Sequence, residues 1–383
     1  MSLSICFCDD LLEFDVATPL ERPLGGTQSA LCYLAAAIAR RGHRVAVLSR
    51  TPHQRRVLGV DCMNIGVLEG GLAQAGAYDI YIFTSRFERF AAAAPLFRPN
   101  ALRIVWTGDG ADQRSTSALS RPEIRDAFDS IVCASNWHRQ QFLTMFGAAP
   151  ARTTMIRYAI GPRFENMFAD AAELRAAKAP EPRLVYTSTP FRGLNLLLSL
   201  FPSIREKRPE AQMEIYSGMR VYQVAGERDR YRHLYERAKT LAGTRYVGSV
   251  AQSELATALR QAAVLAYPNT FAETGCIAAM EALASGLHVV TTDLGALSET
   301  CMGFADLLPR IQNPQDVARF GFDFCVKVLN ALQRRATDPI GFAERCFDQV
   351  RTVNRTSTWD LRAMEWEERL TRWKSAKAAS KGA

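Results

Sequence analysis

The chain has 383 residues, 48% of them hydrophobic, and a formal net charge of +8. That length favours two domains, each with enough apolar residues for an ordinary core. No apolar run approaches the roughly 20 residues that span a bilayer, and residues 1–7 are too short for a secretory leader, so a cytosolic chain is expected. The nine Cys are odd in number and show neither a CxxC pair nor a neighbouring His cluster, which argues against a disulfide framework and a structural zinc.

Residues 3–8 read as a first strand, with Cys6 and Cys8 alternating as small hydrophobes. The loop that follows, through Leu24, is long for a compact domain, and such loops are usually functional. Gly25-Gly26-Thr27 then opens a helical pattern on Ala30, Leu31, Leu34, Ala37 and Ile38 that stops at Gly42, before a second strand over 44–48. In a strand, glycine turn, helix unit the free N–H groups of the turn face whatever lies over the sheet; a tight turn without a ligand is the alternative. The GxGxxG spacing is absent and no acidic residue closes the second strand, which disfavours a dinucleotide-dependent hydride transfer.

Basic residues concentrate here: Arg40, Arg41, His43, Arg44, Arg50, Arg55 and Arg56, then Arg86, Arg89 and Arg98. Such a surface could draw anionic lipid, nucleic acid or a phosphorylated acceptor, although a solvated helix face is the commoner explanation. No nucleic-acid module is recognisable, so nucleic acid is not an expected partner.

Further strands are expected over 80–84, 103–106 and 130–134. The loop 107–113 gathers Gly108, Asp109, Gly110 and Asp112 after a strand end, a place for an acceptor contact or simply a turn. Ser135 is placed to cap the next helix, with His138 as a surface or capping group. A last strand of the first half is expected over 152–158. Residues 161–182 have Pro and Gly at both ends, a linker composition.

The alternation restarts at 183–186, followed by the polar loop Thr187, Ser188, Thr189, Arg192, Gly193 and a helix on Leu194, Leu197, Leu198 and Leu200. An arginine at the top of a strand beside a glycine suits a diphosphate, because a guanidinium bonds two oxygens and stays charged; packing over a helix end is the alternative. Strands over 212–216, closed by Ser217-Gly218, and over 245–247, ending at Val247, leave turn glycines as their default reading. Residues 222–239 read as an amphipathic surface helix.

The stretch 264–295 reads as strand, loop, helix, strand. The helix is expected to begin near Thr274 and to end at Gly286. Glu273 and Glu281 are eight residues apart, so if both belong to the helix they lie about two turns apart on one face. The N–H groups of Thr274, Gly275, Cys276 and Ile277 would open it toward phosphate or hydroxyl oxygens. An ordinary buried βαβ unit with two surface glutamates is the alternative for the acidic pair taken alone. Beyond it come a strand over 304–308, helices over 314–335 and 341–351, and a final helix capped by Ser357 or Thr358. That helix presents Trp359, Met364, Trp366, Leu370 and Trp373, with a frayed tail from Ser375.

Pro268, Glu273, Gly275, Glu281, Ala282, Ala284, Gly286, Val289, Val290, Gly295 and Glu299 together resemble the donor-site segment of retaining GT-B glycosyltransferases of family 4. There the pattern is a Glu, seven residues, a second Glu, a small residue, Gly and a strand. The resemblance implies two doubly wound Rossmann-like α/β domains facing a central cleft, with a C-terminal helix crossing back to the first domain. The bounds it suggests are 1–160 for the acceptor side, 161–182 for a linker, 183–350 for the donor side, 351–375 for the returning helix and 376–383 for a tail.

The activity implied is retaining transfer of a sugar from a nucleotide-diphosphate sugar, UDP or GDP form, to a glycan, lipid-linked or other hydroxyl acceptor. No cofactor or metal is required. The resemblance gives Glu281 to the ribose hydroxyls and Glu273, with the N–H groups of 274–277, to the donor sugar. It gives Arg192 and the Gly25-Gly26 turn to the diphosphate, and Ser217, Gly218 and Val247 to the border of the base. Ser188 and Thr189 stand where the family has a second cation, and Asp109 stands where many members have a His, so Glu273, Arg192 and Asp109 are the candidate catalytic set. Both departures keep open a degenerate GT-B protein that binds nucleotide or glycan, or supports a catalytic partner. The expected site of action is the cytoplasm, with the basic first half offering a peripheral contact to the inner face of the membrane.

Overall fold

The computed structural model describes residues 2–68, 78–98, 100–224 and 226–379. They divide into two compact units, the first drawn from 1–19, 25–159 and 359–383 and the second from 20–24 and 160–358.

In the first unit the strands β1 (Ser4–Cys8), β2 (Arg44–Ser49), β3 (Arg55–Val57), β4 (Val60–Asn64), β5 (Ile80–Phe83), β6 (Leu102–Trp106), β7 (Ser130–Cys133) and β8 (Thr153–Met155) form one sheet in the order β3-β4-β2-β1-β5-β6-β7-β8. Every pairing is parallel except β3 with β4. Strands such as Ile80–Phe83 are wholly buried, the near-continuous apolar run expected where helices cover both faces of a parallel sheet. The hairpin β3-β4 lies in the basic stretch, where no strand is expected from the sequence: Arg55 and Arg56 are exposed, and pairing with β4 supplies what their composition does not.

The final helix, Trp359–Ala379, belongs to this unit. Trp359, Ala363, Trp366 and Leu370 are buried, spaced as one helical face. Trp366 meets Trp106 of β6 edge-on with ring centroids 5.4 Å apart, and Trp359 lies 6.3 Å from Tyr33. Met364, expected on that face, is 52% exposed. The helix also runs past the expected fraying point, because Lys374 Nζ reaches Asp79 at 2.8 Å and Lys377 Nζ reaches Asp129 at 2.7 Å.

The second unit's strands are β9 (Arg183–Tyr186), β10 (Gln212–Ile215), β11 (Thr244–Tyr246), β12 (Val264–Tyr267), β13 (His288–Asp293) and β14 (Ala305–Pro309), all parallel in the order β11-β10-β9-β12-β13-β14. The 161–182 stretch is not an open linker. It carries the helix Ala171–Ala177, capped by Asp170, whose carboxylate accepts the Glu173 N–H at 2.8 Å. Phe168 and Leu174 bury against Phe342, Ala343, Cys346 and Val350 of the helix Pro339–Thr356. Within 222–239 the helix starts only at Arg232, and Gln223 takes a left-handed turn at φ 58° that closes the short turn Met219–Tyr222. All nine cysteines are free and buried.

Candidate functional site

The candidate site is built on the carboxyl ends of the second unit's parallel strands, where the loops leave the sheet and the following helices open. After β9 the chain makes a short turn over Pro190–Arg192 and then Gly193, at φ 114°. A Cβ there would lie 2.1 Å from the carbonyl oxygen of Pro268, so only glycine lets this loop meet the one after β12. That approach delivers Arg192 to Glu273: Nη1 donates to Oε1 at 2.7 Å and to Oε2 at 2.6 Å. The guanidinium also lies over the Phe271 ring, 4.4 Å from its centroid. Tyr267, at the end of β12, donates its hydroxyl to Glu273 Oε1 at 2.5 Å, and Ser188 Oγ is 3.3 Å from that hydroxyl. Burial works against the charge on Arg192, but the Glu273 carboxylate beside it holds the guanidinium pKa well above its ordinary value.

Glu273 is not part of the helix. Its backbone bridges in parallel to Gly295, and its carbonyl accepts the Ala296 N–H at 2.6 Å. Gly295, at φ 69°, is required here, since a Cβ would stand 2.3 Å from the Glu273 carbonyl. An extended residue tied to the loop after β13 cannot also start a helix, so the helix spans Ile277–Ala284 with Cys276 at its cap. Thr274 and Cys276 are buried and Gly275 and Ile277 half-buried at its mouth, with the Cys276 N–H directed to Thr300 Oγ1 at 3.4 Å. The two glutamates therefore do not share a helix face. Glu281 is 3% exposed, and its Oε1 accepts the Gly161 N–H at 3.3 Å. Burial, only partly offset by that hydrogen bond, pushes its pKa up to about 8.

Three of the expected donor residues and two with no role assigned from the sequence share a further feature. Thr189 Oγ1, Ser217 Oγ and Arg192 Nε, with Thr187 Oγ1 and Ser249 Oγ, are buried without a hydrogen-bond partner among the described residues. They follow β9, β10 and β11, neighbours in the sheet, so they line one stretch of its carboxyl edge. Leaving buried hydroxyls unpaired costs on the order of 1–3 kcal/mol each, which oxygens of a ligand would recover. Gly218 makes room for Ser249, whose Oγ would be 2.7 Å from a Cβ at that position. Val247, half-buried, is fixed by its N–H to Ile215 O at 3.0 Å.

In the first unit Gly25 caps the helix Gly26–Arg40. The loop after β6 lies against that helix start, since a Cβ on Gly108 would be 2.4 Å from Thr27 Oγ1 and 2.5 Å from the Tyr158 hydroxyl. Asp109 is half-buried; its N–H donates to Thr107 Oγ1 at 3.0 Å, and its carbonyl is 2.9 Å from His138 Nε2. His138 is not a surface group. It is 0% exposed, and its Nδ1 accepts the Ala134 N–H at 3.1 Å, which puts the ring proton on Nε2 toward Asp109 O. Burial pulls its pKa down to about 4. Ser135 caps the helix Asn136–Phe146 as expected, accepting the His138 N–H at 3.0 Å.

The basic run is largely answered by carboxylates. Arg40 pairs with Asp360, Arg41 with Glu367, Arg50 and Arg89 with Asp10, Arg55 with Asp15, Arg56 with Asp61 and Arg98 with Asp79. Among the described residues no helix is long and apolar enough to cross a membrane, and no three His, Cys, Asp or Glu side chains gather where they could hold a metal ion.

The fold is that of the GT-B glycosyltransferases. It matches sucrose-phosphate synthase from Thermosynechococcus elongatus with a TM-score of 0.68 at 18% identity, over 98% of this chain and 100% of that one. It matches the Anabaena protein HepE, solved with UDP-glucose, with a TM-score of 0.68 at 14% identity, over 97% and 100%. Residues 181–319 match the family model described as "Glycosyl transferases group 1", a stretch that holds β9 to β14 together with Arg192, Glu273 and Glu281. Among curated proteins, glycogen synthase of Mycobacterium tuberculosis is 27% identical over 50% of this chain and 43% of its own length. The phosphatidyl-myo-inositol mannosyltransferase of the same species is 32% identical over 28% of this chain and 26% of its own length. The chain thus spans less than half the length of these curated relatives.

Proposed function

We propose that this protein is a retaining glycosyltransferase of family 4, moving a sugar from a nucleotide-diphosphate sugar to a hydroxyl on a carbohydrate or lipid-linked acceptor. The observation that carries the reading is the Arg192–Glu273 pair set on a sheet edge where five buried polar atoms have no partner of their own. Glu273 fixes the guanidinium through Nη1 and leaves Nε–H as a donor for the diphosphate, whose negative charge grows as the bond to the anomeric carbon breaks. Glu273 in turn accepts from the donor sugar. Thr187, Thr189, Ser217 and Ser249 supply hydroxyls for the remaining donor oxygens, and Glu281 takes the ribose pair. The family match over 181–319, and the UDP-glucose in the Anabaena neighbour, support a nucleotide-diphosphate sugar as donor.

The test is a panel of radiolabelled UDP, GDP and ADP sugars with short glycan and lipid-linked acceptors, followed by NMR of the product's anomeric centre. Labelled product with the donor's own configuration is expected. Nucleotide binding without any transfer would favour a binding-only GT-B protein, a reading helped by Arg192 already spending one nitrogen on Glu273. Inverted product would sink the retaining assignment.

A further inference from the structure

We infer that the second unit carries a separate small-molecule site at the amino-terminal edge of its sheet, built for a phosphate group on a polyol. A cavity of about 520 Å³ opens there, inside the size range of metabolite pockets. Pro182 in its wall directly precedes β9 and Glu210 stands two residues before β10, so it lies at the opposite end of the parallel strands from the candidate donor loops.

The feature that asks for a ligand is Lys178, which lines this cavity and is 8% exposed. Its ammonium donates to the Ser285 carbonyl at 2.6 Å and stands 5.4 Å from the Phe168 ring. No carboxylate pairs with it among the described residues. Burial, with Arg335 and Arg260 repelling it and the Cys346 thiol acting the other way, brings its pKa down to about 7. Arg335 lines the same cavity and is held by the Ala179 carbonyl. Arg208 joins them, 3.8 Å from Glu210. Glu181 bears on Arg335 from the rim, but the buried Lys178 ammonium has no carboxylate partner among the described residues; that is costly, and a bound phosphate would remove the cost.

The remaining wall suggests what the phosphate is attached to. Phe342 offers an apolar surface for carbons, while Glu181 and Glu210 stand exposed at the rim, where carboxylates accept from hydroxyls. An anionic end, a carbon body and a hydroxylated end describe a phosphorylated sugar or polyol. Lys178 also joins this cavity to the candidate donor helix, because Ser285 is the C-cap of Ile277–Ala284, where positive charge is favourable.

Binding is measured by calorimetry on the full chain with two probes, inorganic phosphate and glucose 6-phosphate. Saturable binding of glucose 6-phosphate is expected, tighter than that of inorganic phosphate. It should weaken about tenfold or more in Lys178→Gln and in Arg335→Gln and stay unchanged in Arg192→Ala. The half-exposed Arg335 keeps the test valid if the Lys178 variant folds poorly. Binding of inorganic phosphate alone, lost in both variants, would overturn the polyol part. No saturable binding, binding that survives both substitutions, or binding lost in Arg192→Ala would overturn the site itself.

Discussion

A single nitrogen of Arg192 bonds both carboxylate oxygens of Glu273, at 2.7 and 2.6 Å, across 81 residues of sequence. The Glu273 side chain is 5% exposed and that of Arg192 is 21% exposed, so each is the other's main source of compensation. Arg192→Ala leaves a buried carboxylate with the Tyr267 hydroxyl as its remaining partner. A loss of roughly 2–4 kcal/mol in stability is expected, below the cost of breaking a fully buried pair because the arginine is part-exposed. The double variant Arg192→Ala, Glu273→Gln should recover much of it, which a thermal double-mutant cycle reads directly. In the proposed reaction Arg192→Ala should also lower turnover more than it weakens binding of the free nucleoside. Equal losses for nucleoside and sugar nucleotide would assign the arginine a structural role alone.

Glu281 gives a pH dependence whose sign follows from its burial. Its folded pKa is raised to about 8, above the ordinary carboxylate value, so the folded protein holds a proton that the unfolded chain has released. Its contribution is fully present below about pH 4.5 and is lost as pH rises toward 8, at roughly 1.4 kcal/mol per pH unit. Glu281→Gln mimics the protonated acid, so the variant should gain stability relative to wild type as pH rises through that window. Taking the difference cancels other titrating groups. If Glu281 holds the ribose, the same variant should bind nucleotide about 1–3 kcal/mol more weakly. A flat difference curve would show that Glu281 is ionised in the fold.

His138 acts in the opposite direction and in the other unit. Burial lowers its pKa to about 4, so the unfolded chain takes up a proton that the folded unit refuses. Its contribution is fully present above about pH 6.5 and is lost as pH falls toward 4. Because Nδ1 accepts the Ala134 N–H, protonation would break a backbone contact beside the Asp109 loop. NMR of the imidazole should show a neutral ring with the proton on Nε2 at pH 6. A charged ring there would overturn the assignment.

How much of this was legible in the sequence depended on how local each cause is. The strands 183–186 and 264–267 coincide with β9 and β12, because a short apolar run between breakers carries its own signal. The start of the helix after Glu273 was misplaced because the Gly295 bridge, set by a distant loop, overrides helix-favouring residues. Residues 161–182 have a linker's composition, yet Phe168 and Leu174 find a core on a helix far along the chain. Arg192 and Glu273 stand out individually as candidates, but their pairing has no local signature. The unpaired hydroxyls of Ser217 and Ser249 emerge only once the strand order is known, since nothing in Ser217-Gly218 or in Gly248-Ser249 distinguishes a site from a turn.

Gly295 tests how tightly the backbone sets Glu273. Its φ of 69° and the 2.3 Å approach of the Glu273 carbonyl leave no room for a methyl group. Gly295→Ala should therefore cost about 1–3 kcal/mol and displace Glu273 from Arg192, lowering transfer more than the loss of folded protein explains. The crystal structure of the variant checks this. An intact Arg192–Glu273 pair with normal activity would mean that the loop relaxes elsewhere.

The terminal helix gives the last prediction. Trp359, Trp366 and Leu370 are each at most 1% exposed, and burying a large apolar side chain contributes about 1.5–3 kcal/mol. Deleting the chain from Trp359 onward would bare Trp106 on β6 and Tyr33 on the helix Gly26–Arg40 and remove the lysines that answer Asp79 and Asp129. Three such side chains amount to about 5–9 kcal/mol, which removes most of a marginal stability of about 5–15 kcal/mol. The first unit should then unfold or aggregate, while the second, whose sheet and candidate donor loops contain none of these residues, should keep its nucleotide affinity. Hydrogen exchange reads the two units separately: protection should vanish across β1, β5 and β6 and persist across β9 and β12. Protection retained over β6 in the truncated chain would show that the first unit's sheet stands without the returning helix.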